Sequence, residues 1–366
     1  MTNSADFRIA VFPGDGIGGE ITQPTLRLIA RAAARTGGFS ITPRHCPAGA
    51  AHYRDHGVAL PKASLATARR ADVILLAAMG LPSVRYQDGT EISPQLDLRF
   101  EFGLYAGVRP IRTIPGVPVV LADPRARTID FVILRESTEG LFASHGRGEV
   151  TPERATETMV LTRPTTERLH DFGLRLAARR QQAGGQGRAT CVDKANVFRA
   201  FAWFRGIFDQ RAQAFAGLTA DHMYVDACAL MMVQRPWTLD VLITENMFGD
   251  ILSDLGAGLI GGMGYAPSAD IGGEHALFQP CHGSAPDIAG KGLANPTAMI
   301  LSAAVMLEWL GGENGVAEAT RAGALIRRSV DAAFASGGLR TCELGGNAGT
   351  SAVFSAVEAA MDAADA

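Results

Sequence analysis

Residues 7–20, FRIAVFPGDGIGGE, are the stretch that decides the fold class of this chain. The apolar segment Phe7–Phe12 is typical of a buried strand, and Pro13–Gly14 ends it. A helical pattern follows over Glu20–Arg35, and Gly37–Gly38 stops that pattern. A strand, a glycine turn and a helix in this order predict an α/β domain.

The same alternation continues along the chain and predicts a largely parallel sheet. Further helical patterns cover Lys62–Arg70, Thr165–Arg180, Pro296–Leu310 and the alanine-rich last twenty residues. Further strand candidates are Ser40–Arg44, Val73–Ala77, Val117–Leu121, Asp130–Arg135, Ala189–Asp193 and Val241–Thr244. The glycine-rich stretch Gly256–Gly264 is the best candidate for a crossing between two lobes.

Composition excludes several classes of protein. The 366 residues suffice for about two domains, and 47% hydrophobic with 19% charged residues exclude a disordered chain. A net charge of -3 argues against nucleic-acid binding. No apolar run approaches the roughly 18 residues of a membrane span, and the first residues lack the pattern of a signal peptide. Five scattered cysteines without a CxxC motif favour a reducing compartment, so we expect a cytoplasmic protein.

Gly14, Gly16 and Gly19 match the spacing GxGxxG of dinucleotide-binding folds. That fingerprint also needs an acidic residue about twenty positions later, to bind the ribose. Residues 34–41, ARTGGFSI, contain no acid. The pattern therefore favours a tight glycine turn near a ligand over a Rossmann site.

Three arginines stand at positions that suit a carboxylated ligand. Arg109 precedes a proline and so lies in extended chain, and Arg135 ends a strand, where parallel sheets place ligands. Together with Arg99 they offer three guanidinium groups, which pair with carboxylates in bidentate fashion. A substrate with two or more carboxylates would use them. The alternative is ordinary surface arginine, because the chain contains 31 arginines.

Acidic residues suggest a cation site. Asp250 and Asp254 lie four apart, so a helix places both carboxylates on one face, where they repel each other. A divalent cation such as Mg²⁺ or Mn²⁺ reverses that repulsion, and Asp226 could add a third oxygen. A solvated helix face is the alternative. Lys194, one of only three lysines, suggests a titratable amine for proton transfer, with a surface lysine as the alternative.

A loop rich in glycine and proline follows, from His282 through Asp287 to Asn295. A neutral histidine and an aspartate on a rigid loop could hydrogen-bond an adenine and ribose hydroxyls. Taken alone, this motif is weakly specific.

Three segments together are much more specific: VDKANV at 192–197, TENMFGDILSD at 244–254 and HGSAPDIAGKGLANP at 282–296. They resemble the β-decarboxylating dehydrogenases of (R)-malate-type acids, which include isopropylmalate, isocitrate, homoisocitrate, tartrate and D-malate dehydrogenases. The resemblance runs from Gly14 to Thr350. It implies an α/β, two-lobed isopropylmalate dehydrogenase-like fold that is not a Rossmann fold. Residues 1–104 and 265–366 would form the cofactor-binding large lobe, and residues 105–264 a central lobe with the dimer interface and metal ligands.

The resemblance also implies the roles of individual residues. Arg99, Arg109 and Arg135 would hold the carboxylates of a small dicarboxylate substrate. Asp226, Asp250 and Asp254 would bind Mg²⁺ or Mn²⁺, and the catalytic pair would be Lys194 and Asp226, with Lys194 assisting deprotonation of the substrate hydroxyl. The cofactor-binding residues would be His282, Gly283, Ser284, Ala285, Asp287 and Asn295, with Asp287 indicating NAD rather than NADP. Members of the family are dimers or larger, so Lys194 and Asp226 would reach the neighbouring subunit's site.

Two departures bear on the reaction. Phe142 stands where the family usually has the tyrosine that protonates the enolate carbon after CO₂ leaves. The loop at 90–99, TEISPQLDLR, lacks the patterns of both typical isopropylmalate and isocitrate enzymes. Its Ile92 and Leu96, with Phe142, suggest contact with an apolar group at C3. We therefore expect NAD-dependent oxidative decarboxylation of a 3-substituted (R)-malate, with an isopropylmalate-like substrate favoured over tartrate or D-malate. Phe142 also leaves open a non-catalytic regulatory homologue.

Overall fold

The structure is a computed structural model that describes residues 5–364. Its strands are β1 (Ala5–Gly14), β2 (Phe39–His45), β3 (Val73–Ala78), β4 (Ala106–Arg112), β5 (Asp130–Glu136), β6 (Glu149–Val150), β7 (Ala155–Thr156), β8 (Arg188–Asp193), β9 (Thr219–Tyr224), β10 (Val241–Thr244), β11 (Pro267–Ile271) and β12 (Ala276–Pro280). Its α-helices are α1 (Gly18–Thr36), α2 (Ala50–His56), α3 (Lys62–Arg70), α4 (Pro94–Glu101), α5 (Arg163–Gln182), α6 (Arg199–Ala212), α7 (Val225–Gln234), α8 (Asn246–Leu259), α9 (Thr297–Asn314), α10 (Ala317–Phe334) and α11 (Thr350–Ala363).

One sheet of ten strands runs through the molecule, in the order β2-β1-β3-β12-β11-β4-β5-β10-β8-β9. Pairing is parallel on both flanks, as the alternation of strands and helices predicts. The centre is antiparallel, because β11 pairs in that sense with both β12 and β4, and β4 pairs likewise with β5. The two-stranded sheet β6-β7 is separate.

The two flanks of the sheet come from different parts of the chain. Strands from both chain ends form one flank, and strands from the middle form the other. Helices α1, α9 and α10 pack together with the first flank, and α9 contacts β11 and β12. Helix α9 is buried around most of its surface, which explains why its apolar residues show no single stripe. The division into lobes at residues 104 and 264 stays a prediction.

Most predicted elements are confirmed to within a few residues, but one predicted strand is wrong. Val117–Leu121 is a loop, because Pro115 and Pro118 have no N–H to donate to a ladder and Gly116 has a φ of +83°. The strand of this region is β4. Residues 256–259 of the stretch expected to cross between lobes belong to the last turn of α8, and the crossing itself stays a prediction. Across residues 5–364, no helix is both long and apolar enough to cross a membrane.

The glycine turn after β1 has a structural role. The Asp15 carboxylate accepts hydrogen bonds of 2.8 Å from the backbone N–H groups of Ala50, Ala51 and Gly80. It therefore joins the turn to the start of α2 and to the end of β3. Gly14 has a φ of +69°, and a Cβ built on it would lie 1.7 Å from the carbonyl oxygen of Ala78. The GxGxxG spacing thus reflects a crowded turn, which agrees with a fold that is not of the Rossmann type.

We predict that Gly14→Ala lowers the free energy of unfolding by about 3 kcal/mol or more, because it adds both backbone strain and a clash with Ala78. Gly19→Ala is the matched control. Gly19 lies in α1, and no atom lies within 4 Å of the position that its Cβ would take, so alanine should be neutral or stabilise by up to about 1 kcal/mol. Urea unfolding of both variants measures this difference, and equal stabilities would contradict it.

Candidate active site

A cavity of about 190 Å³ lies where the carboxyl ends of β3 and β12 meet α4, α8 and the central strands. Its apolar wall is the end of β3, residues 76–79. The polar and thiol side chains that line it are Gln95, Arg99, Arg109, Arg135, Asp250, Ser253, Asp254, Ser268, Gln279, Cys281 and His282. The cavity therefore brings together all three predicted substrate arginines, two of the three predicted metal ligands and part of the predicted cofactor loop.

The antiparallel register of the central strands puts these arginines on one face of the sheet. Gly107 of β4 lies directly opposite Arg135 of β5 and directly opposite Asp270 of β11. Opposite residues share a face, and Arg109, two positions along β4, points the same way. A Cβ on Gly107 would lie 3.1 Å from Asp270 Oδ1 and 2.5 Å from Ser137 Oγ. The missing side chain at Gly107 leaves room for this charged layer.

Helix α8 packs against the face of the sheet that carries Arg109, Arg135 and Asp270. A Cβ on Gly249 would lie 2.6 Å from the Cβ of Arg135, so the helix can approach the sheet only at a glycine. The guanidinium of Arg135 donates to Asn246 Oδ1 at 2.9 and 2.7 Å and also pairs with Asp250. Burial and the nearby Arg99 lower the pKa of Arg135 to about 10, so it remains a cation at neutral pH.

Asp270 is the buried partner of the other two arginines. Its side chain is fully buried, and its two oxygens accept from Arg109 Nη2 at 3.0 Å and Arg99 Nε at 3.4 Å. Gln279 Nε2 donates to Asp270 at 2.9 Å. Burial alone would raise the pKa of the Asp270 carboxyl, but Arg109 and Arg99 lower it to about 2. Asp270 is therefore ionised and holds both guanidinium groups in place.

Three polar residues of the site were not predicted from the sequence: Asp270, Gln279 and Gln95. A signal for Asp270 exists in the segment YAPSADIG at 265–272, where an acid stands inside an apolar strand. A carboxylate in such a strand needs a buried cation. Arginines are the only abundant cations in this chain. The sequence therefore indicates that this strand lies next to a segment that carries an arginine, such as Arg109 or Arg135.

Asp250 and Asp254 fit a cation in part. Both side chains reach the cavity from one face of α8. Burial and the neighbouring Asp250 raise the pKa of Asp254, which means that the two carboxylates repel each other and gain from a bound cation. Within residues 5–364 of one chain, no three His, Cys, Asp or Glu side chains are grouped to hold a metal ion. A single chain therefore brings two of the three predicted metal ligands to the cavity.

Asp226 and Lys194 lie outside the cavity. Lys194 follows β8, Asp226 lies in the first turn of α7, and Lys194 Nζ is 2.5 Å from Asp226 Oδ1. The hydrogen bond from Lys194 lowers the pKa of the Asp226 carboxyl. Two-thirds of the Asp226 side chain is exposed, so Asp226 is accessible to a neighbouring molecule.

The predicted cofactor loop packs against the glycine turn. Ser284 O accepts from the N–H of Ile17 at 2.9 Å, and Ser284 Oγ bonds to the carbonyl oxygen of Gly80. His282 Nε2 is buried without a hydrogen-bond partner among the described residues, and burial lowers the pKa of His282, so the imidazole is neutral. An orphaned ring nitrogen, on the same loop as an exposed Asp287, suits a ligand with hydrogen-bonding groups, as an adenosine has.

Other predicted residues take different positions. Asn295 bonds to Glu343 and caps the start of α9 through Thr297, which makes it a structural contact within this chain. Ile92 is fully buried in a separate apolar cluster with Ala50 and Ala59, and neither Ile92 nor Leu96 lines the cavity. The guanidinium carbon of Arg135 lies 5.2 Å from the ring centroid of Phe142, which places Phe142 beside the site.

A profile of the isocitrate/isopropylmalate dehydrogenase family matches residues 8–357. The chain belongs to this family. It is 38% identical over 344 residues to the 3-isopropylmalate/3-methylmalate dehydrogenase of Methanocaldococcus jannaschii, covering 94% of this chain and 95% of that protein. The crystal structure of isocitrate dehydrogenase from Methylococcus capsulatus superposes with a TM-score of 0.83 and 34% identity, covering 97% of this chain and 99% of the other.

The crystal structure of a β-decarboxylating dehydrogenase from Thermococcus kodakarensis superposes with a TM-score of 0.79 and 34% identity, over 97% of this chain and 96% of that one. These similarities confirm the family and the fold class expected from the sequence motifs. The protein is therefore an enzyme, a decarboxylating dehydrogenase of the isocitrate/isopropylmalate dehydrogenase family.

We predict that Asp270 makes the stability of this dehydrogenase depend on acid. The carboxyl has a pKa of about 2 when folded, against an ordinary value of 3.8, so its stabilisation is complete above about pH 5 and is lost as the pH falls toward 2. The free-energy advantage of the wild type over Asp270→Asn should therefore shrink by about 1 kcal/mol between about pH 5 and pH 3. Urea unfolding at several pH values tests this, and a constant difference would contradict it.

Proposed function

We propose that the enzyme carries out NAD-dependent oxidative decarboxylation of a 3-substituted (R)-malate and requires Mg²⁺ or Mn²⁺. One observation carries the proposal. Three buried arginines and the pair Asp250 and Asp254 line one cavity, next to a loop with an orphaned imidazole nitrogen. Guanidinium groups select carboxylates and paired carboxylates select a hard divalent cation, so the cavity suits a dicarboxylate bound together with a metal ion.

The proposed reaction has two stages, oxidation at C2 and then loss of CO₂. Oxidation at C2 removes one hydrogen with two electrons, which NAD⁺ accepts, and the C2 hydroxyl loses its proton, leaving a ketone. The bond from C3 to the carboxylate then breaks, CO₂ leaves, and the bonding electrons remain as an enolate. A proton added at C3 gives the product ketoacid. Phe142 cannot supply that proton, so we assign the step to water or another group near the site.

The chain's own residues bind and orient the substrate. Arg99 and Arg109, held by Asp270, present fixed N–H donors for one carboxylate, and Arg135 presents a third guanidinium beside Asp250. Asp250 and Asp254 would hold the cation, which when bound acts as a Lewis acid on negative oxygen. Lys194 would assist deprotonation of the substrate hydroxyl.

We infer a homodimer or larger assembly in which the neighbouring subunit supplies Lys194 and Asp226. Those two residues lie outside the cavity of their own chain. The helices near them expose large apolar side chains: Leu230 and Val233 on α7 are 57% and 47% exposed, and Ile251 on α8 is 63% exposed. Apolar side chains clustered in this way are typical of a protein interface.

A shared site makes a complementation test possible. Asp250→Asn and Lys194→Ala should each lower kcat at least about 100-fold, because each removes an electrostatic or proton-transfer group. Coexpressed, the two variants form mixed dimers in which one site has both residues intact, so about a quarter of wild-type activity should return. That activity should require Mn²⁺ or Mg²⁺ and disappear with a chelator. Recovery of no activity would contradict a site shared between subunits.

For the cofactor, we predict a kcat/KM for NAD that exceeds the kcat/KM for NADP by at least about 100-fold. Asp287 is exposed on the loop after His282, and a 2′-phosphate beside a carboxylate is repelled. Asp287→Asn should reduce the preference by about tenfold or more while changing kcat/KM for NAD little. Equal efficiency with both cofactors in the wild type would contradict the placement of Asp287.

The C3 substituent has three candidates. Relatives named for 3-isopropylmalate and 3-methylmalate support an alkyl group, while the departure of the loop at 90–99 from both typical patterns keeps tartrate and D-malate as alternatives. NADH formation by the purified protein with Mn²⁺ and each (R)-malate analogue is the direct test. Absence of turnover with all of them would contradict the proposed substrate class.

A further inference from the structure

Asn246 is a buried polar residue next to the cavity that the proposed reaction does not use. It is the first residue of α8, its side chain is fully buried, and it does not line the cavity. Its Oδ1 accepts two hydrogen bonds from the guanidinium of Arg135, from Nε at 2.9 Å and from Nη2 at 2.7 Å. Asn246 therefore reaches the cavity only through a predicted substrate arginine.

The surroundings of Asn246 fix the orientation of its amide. Nδ2 donates to the backbone oxygen of Glu139 at 3.0 Å and faces Glu136 Oε2 at 3.5 Å. The buried carboxylate of Glu136 is held in place because it accepts from Thr138 and from the N–H of Glu139. An amide has one donor end and one acceptor end, so two acceptors on one side and two donors on the other leave a single orientation. The oxygen of Asn246 is thus directed at Arg135.

The guanidinium of Arg135 is shared between two partners on α8. Its five N–H groups form a rigid planar fork. Asn246 accepts one N–H from Nε and one from Nη2, and Asp250 pairs through Nη1. One N–H of Nη1 and one of Nη2 therefore remain for a ligand, and such a pair can bind a carboxylate in bidentate fashion.

Charge explains why an amide suits this position. An amide oxygen holds the guanidinium of Arg135 without neutralising it, whereas a carboxylate would cancel its charge. Without an acceptor at position 246, the guanidinium can also turn its Nε and Nη2 edge toward Asp250, the carboxylate with which it is already paired. Such a turn would withdraw the charge of Arg135 from the substrate and the carboxylate of Asp250 from the cation.

We propose that Asn246 is a positioning residue that holds Arg135 as a free cation for the substrate and limits its pairing with Asp250. The proposal rests on the proposed function, in which Arg135 binds a substrate carboxylate and Asp250 binds Mg²⁺ or Mn²⁺. It goes beyond that function because it assigns control over both ligands to a residue outside the cavity. Asn246 contacts neither ligand and acts only through Arg135.

Binding without turnover tests this role, with (R)-malate as the probe, Mn²⁺ present and NAD⁺ left out. Asn246→Ala should raise the Kd of (R)-malate about 10- to 100-fold, because it removes two hydrogen bonds to a charged group, and should change the Kd of NADH less than about threefold. Asn314→Ala is the matched control and should change neither Kd. The amide of Asn314 also donates to a backbone oxygen, that of Leu310 at 2.9 Å, but contacts no arginine among the described residues.

A double-mutant cycle with Arg135→Lys assigns the effect to the guanidinium. Lysine carries a single amine and no fork, so the amide oxygen of Asn246 cannot hold it along the same edge. In the Arg135→Lys background, Asn246→Ala should therefore change the Kd of (R)-malate less than about threefold. A purely structural role would give the same loss in both backgrounds and would also weaken the binding of NADH.

The affinity for Mn²⁺ without substrate distinguishes a neutral acceptor from a charged one. Asn246→Ala lets Arg135 pair fully with Asp250, so Mn²⁺ should bind about threefold more weakly or worse. Asn246→Asp keeps the size of the side chain, and its carboxylate pairs with Arg135 and releases Asp250. Mn²⁺ should then bind at least as tightly as to the wild type, although (R)-malate binds about tenfold more weakly. The electron paramagnetic resonance signal of free Mn²⁺ measures this affinity.

The outcomes separate the inference from the proposed function. Unchanged (R)-malate binding in Asn246→Ala, or equal losses in both backgrounds, overturns the inference and leaves the proposed function standing. Weaker Mn²⁺ binding in Asn246→Asp also overturns it, and this variant supplies the test if Asn246→Ala does not fold. Failure of the wild type to form NADH from any (R)-malate analogue overturns the proposed function, while the binding of (R)-malate and Mn²⁺ still decides the role of Asn246. A wild type that binds neither ligand overturns both.

Discussion

A buried carboxylate at the middle of the sheet is the contact on which the site depends. Asp270 binds Arg109 from the neighbouring strand and Arg99 from α4, so it links the antiparallel centre to a helix that follows β3. A buried charge is tolerated only when it is paired with an opposite charge. Removing one partner leaves an unpaired buried charge, which strongly destabilises the fold. Strand order, helix position and side-chain choice are therefore constrained together by one group.

Glycines set the second constraint. Gly107 leaves space within the sheet for the layer of charges, and Gly249 lets α8 come close enough for Asp250 to meet Arg135. At both glycines a Cβ atom would clash: with Ser137 at Gly107 and with Arg135 at Gly249. The substrate arginines and the acids on α8 come from segments far apart in the chain, and close backbone approach at these two glycines brings them into one cavity.

The sequence predicted the parallel flanks well, because their strands are short apolar runs such as VILLAA in β3 and the helices between them have clear ends. It failed at β4, AGVRPIR, because two arginines and a proline disguise a strand in which Arg109 pairs with the buried Asp270 and Arg112 pairs with Asp331. The arginines, the acids of α8 and His282 were recognisable from their motifs, and the structure collects them. Asp270 was missed because its arginine partners lie far away along the chain. Gln95 was missed because its feature is a side-chain oxygen without a hydrogen-bond partner among the described residues, which no sequence pattern indicates. Ile92 was assigned to the substrate from its apolar character, but that character is explained by packing in a separate cluster.

The contact between Arg109 and Asp270 also orders events during synthesis of the chain. The two residues are 161 positions apart, whereas the Asp15 carboxylate accepts its three backbone hydrogen bonds from residues before position 81. At ribosomal speeds of about 5–20 residues per second, Asp270 is synthesised roughly 8 to 32 s after Arg109. The first flank can begin to assemble around β1 and β3 during that interval. The central strands cannot acquire their final charge balance until β11 has emerged, so the active site is completed after its scaffold.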